Sequence, residues 1–172
     1  MRPDPGGSAA EPVQRLVRAT AVSTPGKGVT VTAERNKEIV GKLIEAWNRS
    51  DLPGLMAYWA PDMVHYGRDG VLDAQTVASE MARFMAAFRE IRMEVHSLVA
   101  EGDLVATRFT VHAKHTGPYL GIPPTGRWVH CALMGQLRIV DGKVTEHWGV
   151  ADGLHLLQQL GLLPDEMLKA TA

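Results

Sequence analysis

The chain has 172 residues, of which 45% are hydrophobic and 22% are charged, and its formal net charge is −1. These values indicate one globular domain with a sizeable core. The net charge gives no sign of a basic surface that would bind nucleic acid or an anionic membrane. The single cysteine, Cys131, excludes an intrachain disulfide, and no apolar run approaches the ~20 residues of a membrane span. We therefore expect a cytoplasmic protein without nucleic-acid or membrane partners.

The N-terminal residues 1–33 are rich in proline and glycine and carry few large apolar side chains. This composition predicts a flexible or loosely docked tail, within which Val29 to Val31 would suit a short edge strand. The folded domain is expected over residues 34–165. Residues 166–172 would then form a C-terminal tail.

Apolar residues at helical spacing predict three helices in the first half of the domain. The first begins near Thr32 and runs to about Arg49. Asp51 and Asp73 are of the residue type that caps a helix, so they are expected to begin the second and third helices. Met63 to Arg68 is predicted to be a short strand between these two.

After residue 90 the apolar period changes from 3.6 to two, which predicts successive strands. Glu101-Gly102-Asp103 and Asp141-Gly142 supply turns, and the chain closes with an apolar helix from Leu154 to Leu160. Asp152 precedes this helix and is expected to cap it. Helices followed by a meander of strands indicate an α+β domain, in which an antiparallel sheet curves over helices packed on one side.

The turn at Asp141-Gly142 admits two strand registers. A two-residue turn pairs Val140 with Lys143, whereas a bulged three-residue loop pairs Ile139 with Lys143. The bulged form is preferred because it leaves one face apolar apart from His147. That face would also carry Val129, Cys131, Leu133, Gly135 and Gly149. The opposite, outer face would carry Trp128, His130, Met134, Gln136, Glu146 and Trp148. Large apolar groups on an outer sheet face indicate a subunit interface.

Several segments resemble the SnoaL-like polyketide cyclases and related ester cyclases, which belong to the ketosteroid-isomerase-like superfamily. The resemblance covers about residues 34–164. It is carried by GPYLGIPPTGR (117–127), LRIVDGKVTEHW (137–148), Asp152 and LLQQLGLLP (156–164), with further similarity at residues 46–48 and 58–65.

The resemblance implies a cone-shaped α+β barrel, a curved sheet wrapped around helices that encloses a deep apolar pocket. It also implies a homodimer or tetramer, no metal or cofactor, and a hydrophobic small-molecule substrate. The implied function is that of an enzyme of secondary metabolism that cyclises a polyketide-like or polycyclic molecule by acid/base chemistry. Hydroxylation or isomerisation by the same family, a non-catalytic binding module, and an oligomerising scaffold with a filled pocket remain alternatives.

The sequence departs from the family at the positions of its acid/base pair. In the family cyclases, an Asp two residues after the motif histidine and a His on the preceding strand carry out an aldol closure. These positions are Gly149 and Gly135 here, so that mechanism does not transfer. The limonene-epoxide-hydrolase relatives use an Arg and two Asp. Arg108 matches the Arg, but Thr110 and Gly149 replace the carboxylates.

His147 is the candidate general acid/base, because an imidazole titrates near neutral pH. His65 and Arg108 are candidates for holding an oxygen that gains charge. Each also has a structural interpretation, as a core histidine or as a member of an ion pair. The candidate substrate-binding residues are Trp47, Trp59, Tyr66, Phe88, Leu133, Gly135 and Gly149.

Two further features are expected to be structural. Cys131 is read as a small core residue. His112, Lys114 and His115 have a metal-like spacing, but no fourth ligand follows in phase, so no metal site is predicted.

Overall fold

The computed structural model describes residues 27–67 and 70–164, which form four helices and six strands. In chain order these elements are α1 (Lys27–Asn48), α2 (Leu52–Met56), β1 (Trp59–Gly67), β2 (Gly70–Asp73), α3 (Ala74–Ala87), β3 (Phe88–Glu101), β4 (Leu104–His115), β5 (Trp128–Val140), β6 (Lys143–Ala151) and α4 (Gly153–Leu160). Residues 1–26 of the predicted N-terminal tail (1–33) and the whole of the predicted C-terminal tail (166–172) lie outside the described residues.

The strands form one sheet in the order β2-β1-β6-β5-β4-β3. Four neighbouring pairs are antiparallel, while β1 and β6 run parallel. The α+β prediction is confirmed, and the parallel pair is the part that strand alternation did not predict. It brings the first strand beside the last one. Because local patterning reports only neighbours in sequence, a pairing between the two ends of the domain leaves no local signal.

The first helix begins at Lys27, earlier than the predicted Thr32. The expectation of a strand at Val29 to Val31 is therefore wrong. Threonine and valine lower helix propensity in this segment, but adding residues to an existing helix costs far less than nucleating a new one.

Three aspartates begin helices as their positions predicted. Asp51 accepts from the backbone N–H of Gly54 at 2.9 Å, and Asp73 accepts from that of Thr76 at 2.7 Å. Asp152 accepts from the N–H of His155 at 3.1 Å and so caps α4. The residues at which these helices begin are thus encoded locally.

The hairpin of β5 and β6 has a different turn from the one preferred in the sequence analysis, but the same residues share each face of the sheet. Asp141 and Gly142 both have positive φ, of 51° and 81°, and Val140 pairs with Lys143 across a two-residue turn. The preferred three-residue loop is therefore wrong. The extra residue is Thr145, because Ile139 pairs with Val144 and Arg138 pairs with Glu146.

This bulge inside β6 restores the predicted alternation of faces. Beyond it, Leu137 pairs with His147 and Gly135 with Gly149. His147 therefore shares the inner face with the predicted apolar set. That face looks onto the helices, and the buried core lies between them: Ile39, Val40, Leu43, Leu55, Met63, Val77, Met85, Phe88, Val105, Val129, Ile139, Val144 and Leu156.

Candidate active site

The inner face of the sheet and the helices enclose an apolar cavity of about 360 Å³. Trp47 on α1, Trp59 at the start of β1, and Leu133 on β5 line it, as the sequence predicted for substrate-binding residues. Gly135 and Gly149 also lie on its wall. The tryptophans form walls and leave the interior open, so the structure does not support a filled scaffold. The volume falls in the range of small-molecule sites, roughly 300–1,000 Å³.

His147 contributes the imidazole of this cavity, and it is bonded to His65. Their Nδ1 atoms are 3.0 Å apart, and the rings lie 4.8 Å apart at 44°. The two residues are direct partners in the parallel pairing of β1 and β6. Because a hydrogen bond between two neutral imidazoles needs one donor and one acceptor, only one of the two Nδ1 atoms carries a hydrogen.

Burial makes both histidines poor carriers of positive charge. Burial, together with a smaller effect of the neighbouring His65, lowers the pKa of His147 to about 4. Burial also lowers the pKa of His65, while the carboxylate of Glu80 acts in the opposite direction. At neutral pH both rings are therefore uncharged. Each ring then has one unprotonated nitrogen, which either is free or accepts a hydrogen bond.

Gly135 and Gly149 leave room for the His147 ring. A Cβ on Gly149 would lie 3.4 Å from both Cε1 and Nε2 of His147. A Cβ on Gly135 would lie 2.8 Å from the carbonyl oxygen of Trp148 and 3.6 Å from His147 Nε2. The space that a longer side chain at either position would need is thus partly occupied by the imidazole. This gives a physical reason for glycine at both positions.

Tyr119 and Thr107 are polar cavity residues that the sequence analysis did not single out. The Tyr119 ring packs edge-on against Phe84 and Phe88, at 6.0 and 5.0 Å between centroids. Burial raises the pKa of the Tyr119 phenol, so its hydroxyl stays protonated and available as a donor. Thr107 donates to the carbonyl oxygen of Gly135 at 3.3 Å. The sequence feature that could have identified Tyr119 as a cavity residue is its place in the GPYLGIPPTGR motif.

Arg108 does not reach the cavity, which corrects its predicted role in holding an oxygen. It is exposed and pairs with Met134 on the outer face. The reason is the alternation of β4, which turns Thr107 and Phe109 inward to the cavity and the residue between them outward.

Tyr66 and Phe88 also lie away from the cavity, so their predicted substrate contacts are corrected. Tyr66 is on the outer face, where it stacks on Trp148 at 5.0 Å and donates to Glu146 at 3.2 Å. Phe88 is fully buried behind the wall and stacks on Phe84 at 4.5 Å. It begins β3 instead of extending the helix before it.

The remaining candidates have structural surroundings. Cys131 is buried in the wall, where burial raises its thiol pKa. His112 and His115 lie on opposite faces of β4, because His112 bonds to exposed Glu94 and His115 is fully buried. Within residues 27–67 and 70–164, no three His, Cys, Asp or Glu side chains are grouped so as to hold a metal ion.

The outer face of the sheet carries large apolar side chains among polar ones. Trp128, Met134 and Val150 are 57%, 63% and 76% exposed. Arg138 on the same face bonds to Asp103 at 2.8 Å and to Glu146. Among the helices described, none is long and apolar enough to cross a membrane.

A curved sheet closed by helices around an apolar cavity, with a histidine on its inner wall, defines a cone-type α+β pocket protein. Residues 37–160 match the sequence model of the SnoaL-like polyketide cyclases. The chain therefore belongs to this family, whose named relatives are cyclase-type enzymes.

Three relatives illustrate the similarity. The chain is 26% identical over 126 residues to the aklanonic acid methyl ester cyclase AcmA of Streptomyces galilaeus, covering 71% of this chain and 88% of the relative. It is 42% identical to the structure of AclR, a candidate hydroxylase of the same organism, with a TM-score of 0.75 over 77% of this chain and 85% of that one. IdmH of Streptomyces antibioticus, a candidate polyketide cyclase, is 30% identical with a TM-score of 0.65, over 73% and 98%.

Proposed function

We propose that this chain is a cytoplasmic enzyme of secondary metabolism that cyclises a polyketide-like or polycyclic small molecule by acid/base chemistry, without a cofactor. The observation that carries the proposal is the His147 imidazole on the wall of an apolar cavity of about 360 Å³. An apolar cavity with one titratable ring nitrogen suits a flat, largely apolar substrate with an acidic carbon or hydroxyl group.

The uncharged state of His147 leaves one ring nitrogen able to accept a proton, although burial makes the charged ring costly. Burial keeps its imidazole neutral at pH 7, so it is available to accept a proton from a carbon acidified by adjacent carbonyl groups. The oxygen that gains charge needs a donor nearby. With Arg108 on the outer face, the protonated hydroxyl of Tyr119 is the donor that we assign to this task.

The similarity to the aklanonic acid methyl ester cyclases supports a polyketide methyl ester as the first substrate to test. Aklanonic acid methyl ester should be incubated with wild type and with His147→Ala, and the cyclised product measured. Loss of a general acid/base is expected to lower kcat/KM by about 100-fold or more. His130→Ala, on the outer face, is the matched control. Equal rates for wild type and His147→Ala would disprove this mechanism.

Hydroxylation is the second candidate function. The specific observation in its favour is the 42% identity to AclR, a candidate hydroxylase, against 26% to the cyclase AcmA. Glycine at the two acid/base positions of the cyclases points in the same direction. Oxygen uptake separates the two reactions, because hydroxylation by dioxygen consumes it in proportion to product and cyclisation consumes none. Product mass gives an independent check, since only hydroxylation adds an oxygen atom.

We also propose that the protein is a homodimer, or a tetramer, formed through the outer face of the sheet. Trp128, Met134 and Val150 give that face its exposed apolar area. A Met134→Glu variant should reduce the molar mass measured by light scattering to that of one chain. Leu120→Glu, which is also exposed but lies in the loop before β5, should leave it unchanged.

A further inference from the structure

The bond between His65 and His147 leaves the Nε2 atoms of both rings pointing away from each other. Both Nδ1 atoms are used in the contact at 3.0 Å. His147 Nε2 lies over Gly149 and Gly135, within 3.4 and 3.6 Å of the positions where their Cβ atoms would be. His65 Nε2 lies in the same way over Gly67, at 3.2 Å. The two rings are therefore joined through their Nδ1 atoms, with His147 on the cavity wall and His65 on β1.

Of these two histidines, only His147 lines the cavity. His147, Gly135 and Gly149 all line the cavity, whereas His65 does not, although its ring is partly accessible. His65 is thus placed behind the catalytic imidazole. This position corrects the expectation that His65 would hold a substrate oxygen.

We propose that His65 is a positioning residue that holds His147 with its hydrogen on Nδ1 and its bare Nε2 toward the cavity, and that takes up the Nδ1 hydrogen when the substrate is deprotonated. This inference rests on the proposed function for its chemical step. The tautomer that it assigns is a property of the substrate-free protein.

The step conserves protons and electron pairs. A C–H or O–H bond of the substrate breaks, its electron pair stays on the substrate as an enolate or phenolate, and the proton bonds to Nε2 of His147. The Nδ1–H bond of His147 breaks, and that proton bonds to Nδ1 of His65. His147 is neutral again, and the positive charge is on His65, which already carried a hydrogen on Nε2. Reprotonation of the product returns both protons.

The surroundings of the two rings favour charge on His65 over charge on His147. The burial of His147 disfavours its cationic form strongly, and the residue directly opposite it on β5 is Leu137. His65 is less enclosed, and the carboxylate of Glu80 on α3 favours its cationic form. Tyr119 and Cys131 line the cavity as neutral groups whose pKa values burial raises. The charged partners on the other sheet face, Glu146 and Arg138, are bonded to each other.

Nitrogen NMR of ¹⁵N-histidine-labelled, substrate-free protein at neutral pH tests the assigned tautomer. We expect His147 to show a protonated Nδ1 and an unprotonated Nε2, and His65 to show a protonated Nε2. The opposite tautomers, with His147 protonated on Nε2, would overturn the inference. Since no substrate is present, this outcome does not depend on whether the proposed reaction is correct.

Two substitutions at residue 65 separate proton uptake from simple support. In His65→Gln, the side-chain oxygen can accept from His147 Nδ1–H but cannot take the proton, so the His147 tautomer should be kept. We expect kcat to fall about tenfold or more while KM stays within about twofold. His65→Ala should lower kcat at least as much and also release the tautomer. Full kcat in His65→Gln would show that His65 only supports the ring and would overturn proton uptake.

A charge variant on α3 gives a further readout. Glu80→Gln removes the carboxylate that favours protonated His65, so the His65 pKa measured by NMR should fall. Glu45→Gln, an exposed carboxylate on α1, is the matched control and should leave it unchanged. An unchanged His65 pKa in Glu80→Gln would contradict the claim that Glu80 favours the charged form of His65.

If instead His147→Ala retained full turnover, the proposed function would fail while the tautomer result stood.

Discussion

Gly135 and Gly149 lie directly opposite each other on β5 and β6, beneath the ring of His147. By the resemblance described above, they correspond to the acid/base pair of the family cyclases. In this chain neither position carries an acid/base side chain, and the His147 ring lies over both glycines. The consequences for stability are unequal at the two glycines.

Alanine at residue 135 should destabilise the protein more than alanine at residue 149. The Cβ of Gly135→Ala would meet the backbone oxygen of Trp148 at 2.8 Å, and backbone cannot move cheaply. The Cβ of Gly149→Ala meets only the two imidazoles, at 3.4 Å or more. We expect Gly135→Ala to cost about 1–3 kcal/mol in the free energy of unfolding, measured with urea. A smaller cost than for Gly149→Ala would contradict the packing described above.

Acid should destabilise the fold over a defined pH window. His147 has a folded-state pKa of about 4, below the usual value of 6.5, so the unfolded chain binds a proton that the folded chain does not. The free energy of unfolding should therefore fall as the pH drops from about 6.5 to about 4, by about 3 kcal/mol in the limit. His65 contributes in the same direction.

Urea unfolding at several pH values measures this slope. His147→Leu should flatten the fall between pH 6.5 and 4, while the outer-face variant His130→Leu should retain it. An equally steep fall in His147→Leu would assign the acid sensitivity to other groups.

Loss of the polar group should lower kcat at Tyr119 but not at Arg108. Tyr119→Phe removes the donor hydroxyl from the cavity and should lower kcat about tenfold or more. Arg108→Ala changes only an exposed residue on the outer face and should leave kcat within about twofold. Steady-state rates with the same substrate measure both, and a large loss confined to Arg108→Ala would reverse the assignment.

The Asp152 side chain should act as a helix cap and not in catalysis. Asp152→Ala removes the acceptor for the N–H of His155 and should lower the free energy of unfolding by about 1 kcal/mol. Asp152→Asn keeps an acceptor and should recover most of the loss. A large drop in kcat with unchanged stability would show that the aspartate has a second role.

The sequence predicted those parts of the fold that have a local cause. The caps at Asp51, Asp73 and Asp152 and the turn at Asp141-Gly142 each depend on residues within a few positions. The inner face of His147 was also predicted, although through a bulge at the turn instead of at Thr145. Both arrangements insert one extra residue and hence give the same alternation.

The parts that could not be predicted have causes distant in sequence. Arg108 is an exception, because the local alternation of β4 already places it on the face opposite Thr107 and Phe109, although it matched a family position. Phe88 continued a helical apolar pattern, yet the chain becomes a strand at this residue. His65 was predicted to face the cavity, and its bond to His147 became visible only through the parallel pairing of β1 with β6.

From that parallel pairing we also expect the site to assemble late in folding. His65 and His147 are 82 residues apart, so their contact closes a far longer loop than the successive hairpins of β3 to β6. Long loops close more slowly and at greater entropic cost than hairpins. A chain in which β3 to β6 have already paired would have formed most of the sheet, but the contact between His65 and His147 would still be missing. Refolding followed by backbone signals should therefore run ahead of recovery of activity.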